Sequence, residues 1–187
     1  MRDNLQLQYW LEQIALFNDE TSYEQLFLHY NDRLFNLANS FVKLEEAAEE
    51  IVSDVFVNLW RNRARLLEIE NLDVYLYVAV KNLSLKQIGK HTAQASFSID
   101  DLQLDHVQAT SLSPEDLLVS KELLNRIHAA IEALPPKCRL IFKLVREDGL
   151  KYKDISQILN ISVKTIDAQM AIAARKIAQT LRFTLPK

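Results

Sequence analysis

The stretch whose reading decides the fold is residues 152–170, YKDISQILNISVKTIDAQM. Tyr152, Ile155, Ile158 and Leu159 recur at the three-and-four spacing of a helix with one apolar face. Asn160 stands where the chain must turn sharply, and asparagine tolerates left-handed backbone better than most residues. Ser162 can accept a hydrogen bond from the first amides of a second helix. That second helix buries Ile166, Met170, Ala173, Ile177 and Leu181. Two short helices around a tight turn form a helix-turn-helix, whose second helix can lie in a DNA major groove.

Opposite the buried stripe, at ~100° per residue, the second helix collects Lys164, Ala168, Ala171, Ile172 and Arg175, flanked by Thr165, Gln169 and Lys176. Alanines permit close approach to a groove. Gln169 can pair with adenine and Ile172 can meet a thymine methyl group. Lys164, Arg175 and Lys176 can bind phosphates without regard to sequence.

The totals set this hairpin against an anionic background. The 187 residues hold 22 Lys+Arg and 25 Asp+Glu. Residues 137–187 account for 11 of the basic and 4 of the acidic side chains, net +7. Residues 1–136 keep 11 and 21, net −10. A cationic tail and an anionic front are expected to have different partners.

With only Gly89 and Gly149, the chain has neither a P-loop nor a dinucleotide-binding turn. Long 3.6-period patterns predict an all-α protein. A lone cysteine, Cys138, permits no internal disulfide and suits a reduced, cytoplasmic setting. The N-terminus MRDNLQLQYW lacks the apolar core of a signal peptide. No apolar run approaches the ~18 residues of a membrane span, so no membrane insertion is expected. The four histidines make no helical metal-ligand pair, and Cys138 has no nearby histidine. No enzyme activity, cofactor, metal site or small-molecule substrate is expected.

Upstream, an amphipathic segment runs over about 5–17, and Asn18-Asp19-Glu20 breaks it. Thr21 or Ser22 is the expected cap of the next helix, whose stripe is Tyr23, Leu26, Phe27, Tyr30, Leu34, Leu37 and Phe41. A third helix, about 45–62, carries Ile51, Val52, Val55, Phe56, Leu59 and Trp60 on one face. Its other face holds Glu45, Glu46, Glu49, Glu50 and Asp54. Residues 61–73 read as a loop and 74–90 as a fourth helix. Residues 91–113, polar and without period, read as a linker. Ser113-Pro114 reads as a cap with proline at the first helical position. That helix buries Leu117, Leu118, Leu123, Leu124, Ile127, Ile131 and Leu134, and Pro135-Pro136 ends it. A helix over about 137–147 follows, closed by Asp148-Gly149.

The sequence then resembles a known family. Residues 133–170, ALPPKCRLIFKLVREDGLKYKDISQILNISVKTIDAQM, look like region 4 of an extracytoplasmic-function (ECF) sigma factor of the sigma-70 family. The matching features are the leucine-proline-proline entry, IFKL, the glycine before the hairpin and ISVKTI. AEEIVSDVFVNLW, 48–60, resembles region 2.2, and NLDVYLYVAVKNLSLKQIGKH, 71–91, resembles regions 2.3 and 2.4. The flavour is closest to the iron-citrate-type members and their Bacteroides-group relatives. Lys151, Asp167, Ala168 and Ile172 depart from the family's usual residues, which makes the recognition face less cationic.

The resemblance implies a sigma factor with two helical domains: region 2 at 1–90, a flexible linker at 91–113, and region 4 with the helix-turn-helix at 114–187. It implies binding to core RNA polymerase, at the β′ clamp helices and the β flap, and to promoter DNA. Glu49, Glu50 and Asp54 would meet the polymerase, and Val55 and Phe56 would supply apolar contact there or local core. Tyr75, Lys81, Asn82, Lys86 and Lys90 would capture the −10 strand, near a loop at 65–72. Ser162, Lys164, Thr165, Ala168, Gln169, Ile172, Arg175 and Lys176 would bind the −35 element. For Tyr75, Tyr77 and Trp60, core packing is the commoner role of such aromatics. Two promoter elements two turns apart lie ~70 Å from one another. A 23-residue linker at ~3.3 Å per residue reaches about 76 Å. A separate anti-sigma factor is a further expectation. The competing readings are a non-sigma regulator with a LuxR-type hairpin, lacking here any receiver domain, and a helical adaptor, which the +7 tail opposes.

Overall fold

The computed structural model describes residues 2–91 and 118–182, with side chains over 5–89 and 125–180. Every element within those residues is helical. The chain divides into two compact units, Met1–Phe97 and Ser98–Lys187. His91 ends a helix; the rest of the expected linker and the expected Ser113-Pro114 cap lie outside the described residues. So do the side chains of Leu117, Leu118, Leu123, Leu124 and Leu181.

In the first unit, α1 (Arg2–Phe17), α2 (Glu20–Val42), α3 (Glu45–Arg61) and α4 (Leu72–His91) surround one core. The long α2 is its axis and packs against the other three. Leu26, Tyr30, Leu34, Leu37 and Phe41 of α2 are buried, as the spacing predicts. They meet a core completed by Ile14, Ile51, Phe56, Leu59 and Leu76. Asp19 rather than Thr21 or Ser22 caps α2, its carboxylate accepting the Ser22 amide at 2.7 Å. The carboxylate sits one position ahead of the helix, where it reaches the orphan amides, and Ser22 is already buried within the helix. Tyr30, whose stripe position buries its ring, donates its hydroxyl to Asp73 at 2.7 Å and so ties α2 to the start of α4. Burial, with the Asp73 carboxylate beside it, holds the phenol far above its usual titration range.

Two features differ from the sequence reading. Residues 61–73 are not a plain loop: Arg63–Glu68 forms a 3-10 helix that packs on α1 and buries Leu66. Only Leu66 of this short arginine-rich turn is buried, and one buried position gives no period to detect. In α1, Leu11 and Ile14 are buried, but Leu16 and Phe17 stay 62% and 68% exposed. Its apolar residues lie all round, so only some can face the core.

The second unit holds α5 (Leu118–Glu132), α6 (Pro136–Arg146), α7 (Tyr152–Leu159) and α8 (Val163–Arg182). Leu134, Cys138 and Ala173 form a core cluster, with Phe142, Ile172 and Ile177 packed against it. Pro136 opens α6, where its missing N–H costs nothing. Gly149, at φ +71°, supplies the left-handed turn that lets the Leu150 amide return to the Leu144 carbonyl at 3.0 Å. Glu132 joins α5 to α6 by accepting from Arg139 and, at 2.8 Å, from Lys143. Burial raises the Glu132 carboxyl, but the hydrogen bonds and charges of Lys143 and Arg139 outweigh it and hold the group below the usual carboxylate range.

Candidate nucleic-acid interface

The hairpin is built by its turn. Asn160 closes α7 in the left-handed conformation, φ 54° and ψ 47°, and its amide bonds the Ser156 carbonyl. The Ser156 hydroxyl donates to the Ile161 carbonyl at 2.6 Å, bracing the turn from inside. Ser162 then caps α8 as its position predicts, accepting the Thr165 amide at 3.0 Å. Lys151 begins α7 without a side-chain cap. Ile155, Ile158, Leu159, Ile166, Met170 and Ala173 bury the facing stripes. The Cys138 thiol donates to the Gln169 carbonyl at 3.3 Å, fixing α8 on α6. Fully buried in the core cluster, Cys138 is a packing group, and burial pushes its thiol up against a smaller opposing effect of Lys176.

On α8 the structure brings Lys164, Ala168 and Arg175 together on the open face, with Lys176 at its edge. It turns two expected base readers inward. Ile172 packs on the core cluster, and Gln169 is half-buried above Cys138. Thr165 is half-buried and shares a hydrogen bond with Ser162 at 2.8 Å. A helical wheel with one buried direction could not show that neighbouring helices cover one flank of α8 more than the other. The open flank instead presents Asp167, noted in the sequence only as a departure from the family's usual residues, and Ala174, which the sequence had not singled out.

On α4 the outcome is also mixed. Tyr75, Asn82 and Lys86 are exposed and lie at i, i+7 and i+11, one stripe of the helix. Tyr77 is fully buried. Lys81 is half-buried on the side of the helix, and burial lowers its pKa. The Lys90 side chain lies outside the described side chains. Trp60 is half-buried against Tyr23 at 4.8 Å between ring centres, with the Arg63 guanidinium over the indole, 4.6 Å from its ring centre. It is a packing residue clamped by a cation.

On α3, Glu49, Glu50 and Asp54 are exposed as expected, with Glu45 and Glu46 beside them. Val55 and Phe56 are not on that face. They are 3% and 2% exposed in the core, because their apolar stripe is turned toward α2. Phe56 stacks edge-on to Phe27 at 4.9 Å, and its carbonyl accepts the Tyr23 hydroxyl at 2.8 Å. The apolar surface near the acidic face comes instead from a groove between α2 and α3. Phe27, Phe35 and Val52 line it, with Asp32 and Glu49 among its polar groups. The three-and-four pattern gave no sign that Phe35 would line a groove, since it lies off the buried stripe.

No helix among the described residues is long and apolar enough to cross a membrane. No cluster of three or more potential metal ligands occurs among them.

Comparison with known proteins assigns these units. Residues 26–94 match the family model for sigma-70 region 2, and residues 124–177 match that for sigma-70 region 4. The chain is 25% identical over 170 residues to the ECF RNA polymerase sigma factor SigW of Bacillus subtilis, covering 88% of this chain and 91% of that protein. It is 22% identical over 165 residues to the ECF RNA polymerase sigma-E factor of Escherichia coli, covering 85% and 86%. Among solved structures, CnrH in complex with the cytosolic domain of CnrY shares the fold, with a TM-score of 0.56 at 17% identity over 96% of this chain and 99% of that one. With both regions in order and full-length relatives of one kind, the chain belongs to the sigma-70 family and to its extracytoplasmic-function branch.

Proposed function

We infer that the protein is an RNA polymerase sigma factor of the ECF type, which directs core polymerase to specific promoters and assists initiation. The observation that carries this is the ordered pair of regions, 2 then 4, each with an exposed charged helix. The non-sigma regulator reading has no place for a region 2 match. The work is binding and positioning in transcription initiation, carried out where the polymerase is, in the cytoplasm.

Three surfaces divide this work. The acidic face of α3, with Glu49, Glu50 and Asp54, and the groove beside it meet a basic helical element of the polymerase, the clamp. Complementary charge sets the rate and register of that docking. The Tyr75, Asn82 and Lys86 stripe of α4 holds the unpaired −10 strand: the ring offers a stacking surface, the amide hydrogen bonds, and the lysine a phosphate contact. Energy gained on the single strand supports opening of the duplex. The α7–α8 hairpin settles on the −35 duplex, with Lys164, Arg175 and Lys176 neutralising phosphates. CnrH is seen bound to part of CnrY. A separate inhibitory chain that covers these faces is the corresponding regulation for this protein.

Transcription reconstituted from core polymerase and this chain tests the reading. Lys164→Ala is expected to weaken use of the upstream element, and the triple change Glu49→Lys, Glu50→Lys, Asp54→Lys to prevent holoenzyme assembly. Unchanged initiation by both variants would remove these surfaces from the account.

A further inference from the structure

Upstream recognition can be taken to one base pair, resting on the reading that α8 lies in the major groove. At ~100° per residue, the open arc of α8 centres near Ala171, away from the half-buried Ile172. Base edges are touched mainly by the N-terminal part of a recognition helix. There the open arc holds Lys164, Asp167, Ala168 and Ala171.

Asp167 has no structural duty in the fold. It is exposed, and among the described residues its side chain makes no hydrogen bond or ion pair. The cap of α8 is Ser162, not Asp167. Asp167 is also the fifth residue of a helix that begins at Val163, beyond the first turn where the helix dipole favours an acid. On a face that must approach phosphates, an unpaired carboxylate repels its partner. It lowers affinity for every duplex except one that offers it a hydrogen bond.

The major groove offers such a donor. A carboxylate can accept from the cytosine N4 amino group. Adenine also presents an amino group, but its N7 acceptor lies beside it and repels an anion. Guanine and thymine present acceptors only. The surroundings suit a short side chain. Ala168, Ala171 and Ala174 project only methyl groups from the open face, so the helix can come near enough for aspartate to reach. Lys164, one turn earlier, supplies an opposite charge that lessens the repulsion. We propose that Asp167 is a specificity-determining residue that reads a cytosine in the upstream promoter element and disfavours duplexes lacking one there.

The test is transcription by core polymerase with the full chain, on templates whose upstream element is randomised. Wild type is compared with Asp167→Ala, Asp167→Asn and Lys164→Ala. Wild type should prefer cytosine at one position by roughly tenfold, the scale of a single mismatched pair. Asp167→Ala should lose that preference alone, keep those at other positions, and bind unrelated duplex several-fold more tightly. Asp167→Asn should move the preference toward adenine, which an amide can pair through N6 and N7. If Asp167→Ala and Asp167→Asn both retain every wild-type preference, the proposal is overturned while the α8 reading stands. If wild type shows no base preference upstream, and Lys164→Ala changes nothing, both fall together.

Discussion

Helices α3 and α8 are made alike and differ in the charge they leave open. Each buries one stripe: Ile51, Val55, Phe56 and Leu59 on α3, and Ile166, Met170 and Ala173 on α8. Each leaves a charged face open: Glu49, Glu50 and Asp54 on one, Lys164, Arg175 and Lys176 on the other. The buried halves do the same job, so they do not distinguish the two units. The sign of the open face does. A net of −3 for the whole chain averages over an anionic surface on α3 and a cationic surface on α8. The average therefore says little about either.

The comparison can be broken from its buried side first. Phe56→Ala should destabilise the first unit by about 3–5 kcal/mol, since a fully packed ring leaves a cavity that its neighbours cannot fill. Denaturant unfolding measures this. A loss under 1 kcal/mol would mean that Phe56 is on the surface after all. The next largest effect is on the open side. Reversing Glu49, Glu50 and Asp54 to lysine should slow association with core polymerase by roughly 10–100-fold at low salt, leaving stability nearly unchanged. Stopped-flow binding reads it, and an equal loss of duplex binding would show that the faces are not independent.

A third prediction concerns the support of region 4. Glu132→Gln should cost about 2 kcal/mol at neutral pH, because Arg139 and Lys143 lose a charged acceptor. The folded carboxyl titrates below its unfolded value. Its contribution is therefore present above the unfolded pKa of about 4.3 and is lost as pH falls through the lower folded value. The gap between wild type and Glu132→Gln should close in acid; a gap independent of pH would rule out the ion network as its cause. The smallest effects sharpen the cationic side. Ser162→Ala should cost about 1 kcal/mol in thermal unfolding by removing the α8 cap. Removing Arg175 or Lys176 should lower the salt dependence of duplex binding by about one counterion each.

The helices themselves could be read from sequence wherever one apolar stripe dominated. The α2 stripe, the Asn160 turn and the Ser162 cap follow directly from residue chemistry. What a stripe cannot report is how neighbours close around it. Val55 and Phe56 lie on an apolar stripe next to acidic residues, and only packing against α2 shows that they are inside. On an isolated helix Ile172 sits opposite the buried direction and Gln169 on the flank, yet packing against α6 draws both in and leaves Asp167 out. Tyr75 and Tyr77, two residues apart, part company because successive helical residues point ~100° away from each other. The Arg63–Glu68 turn had no repeating pattern to betray it.

The most direct test of the central claim is run-off transcription by core RNA polymerase on pooled genomic fragments of the encoding organism, with and without the purified chain. The account predicts discrete start sites that appear only when the chain is present, on fragments sharing an upstream element. If the chain associates with polymerase and DNA yet no fragment gains a start site, the assignment as a promoter-specificity factor is contradicted.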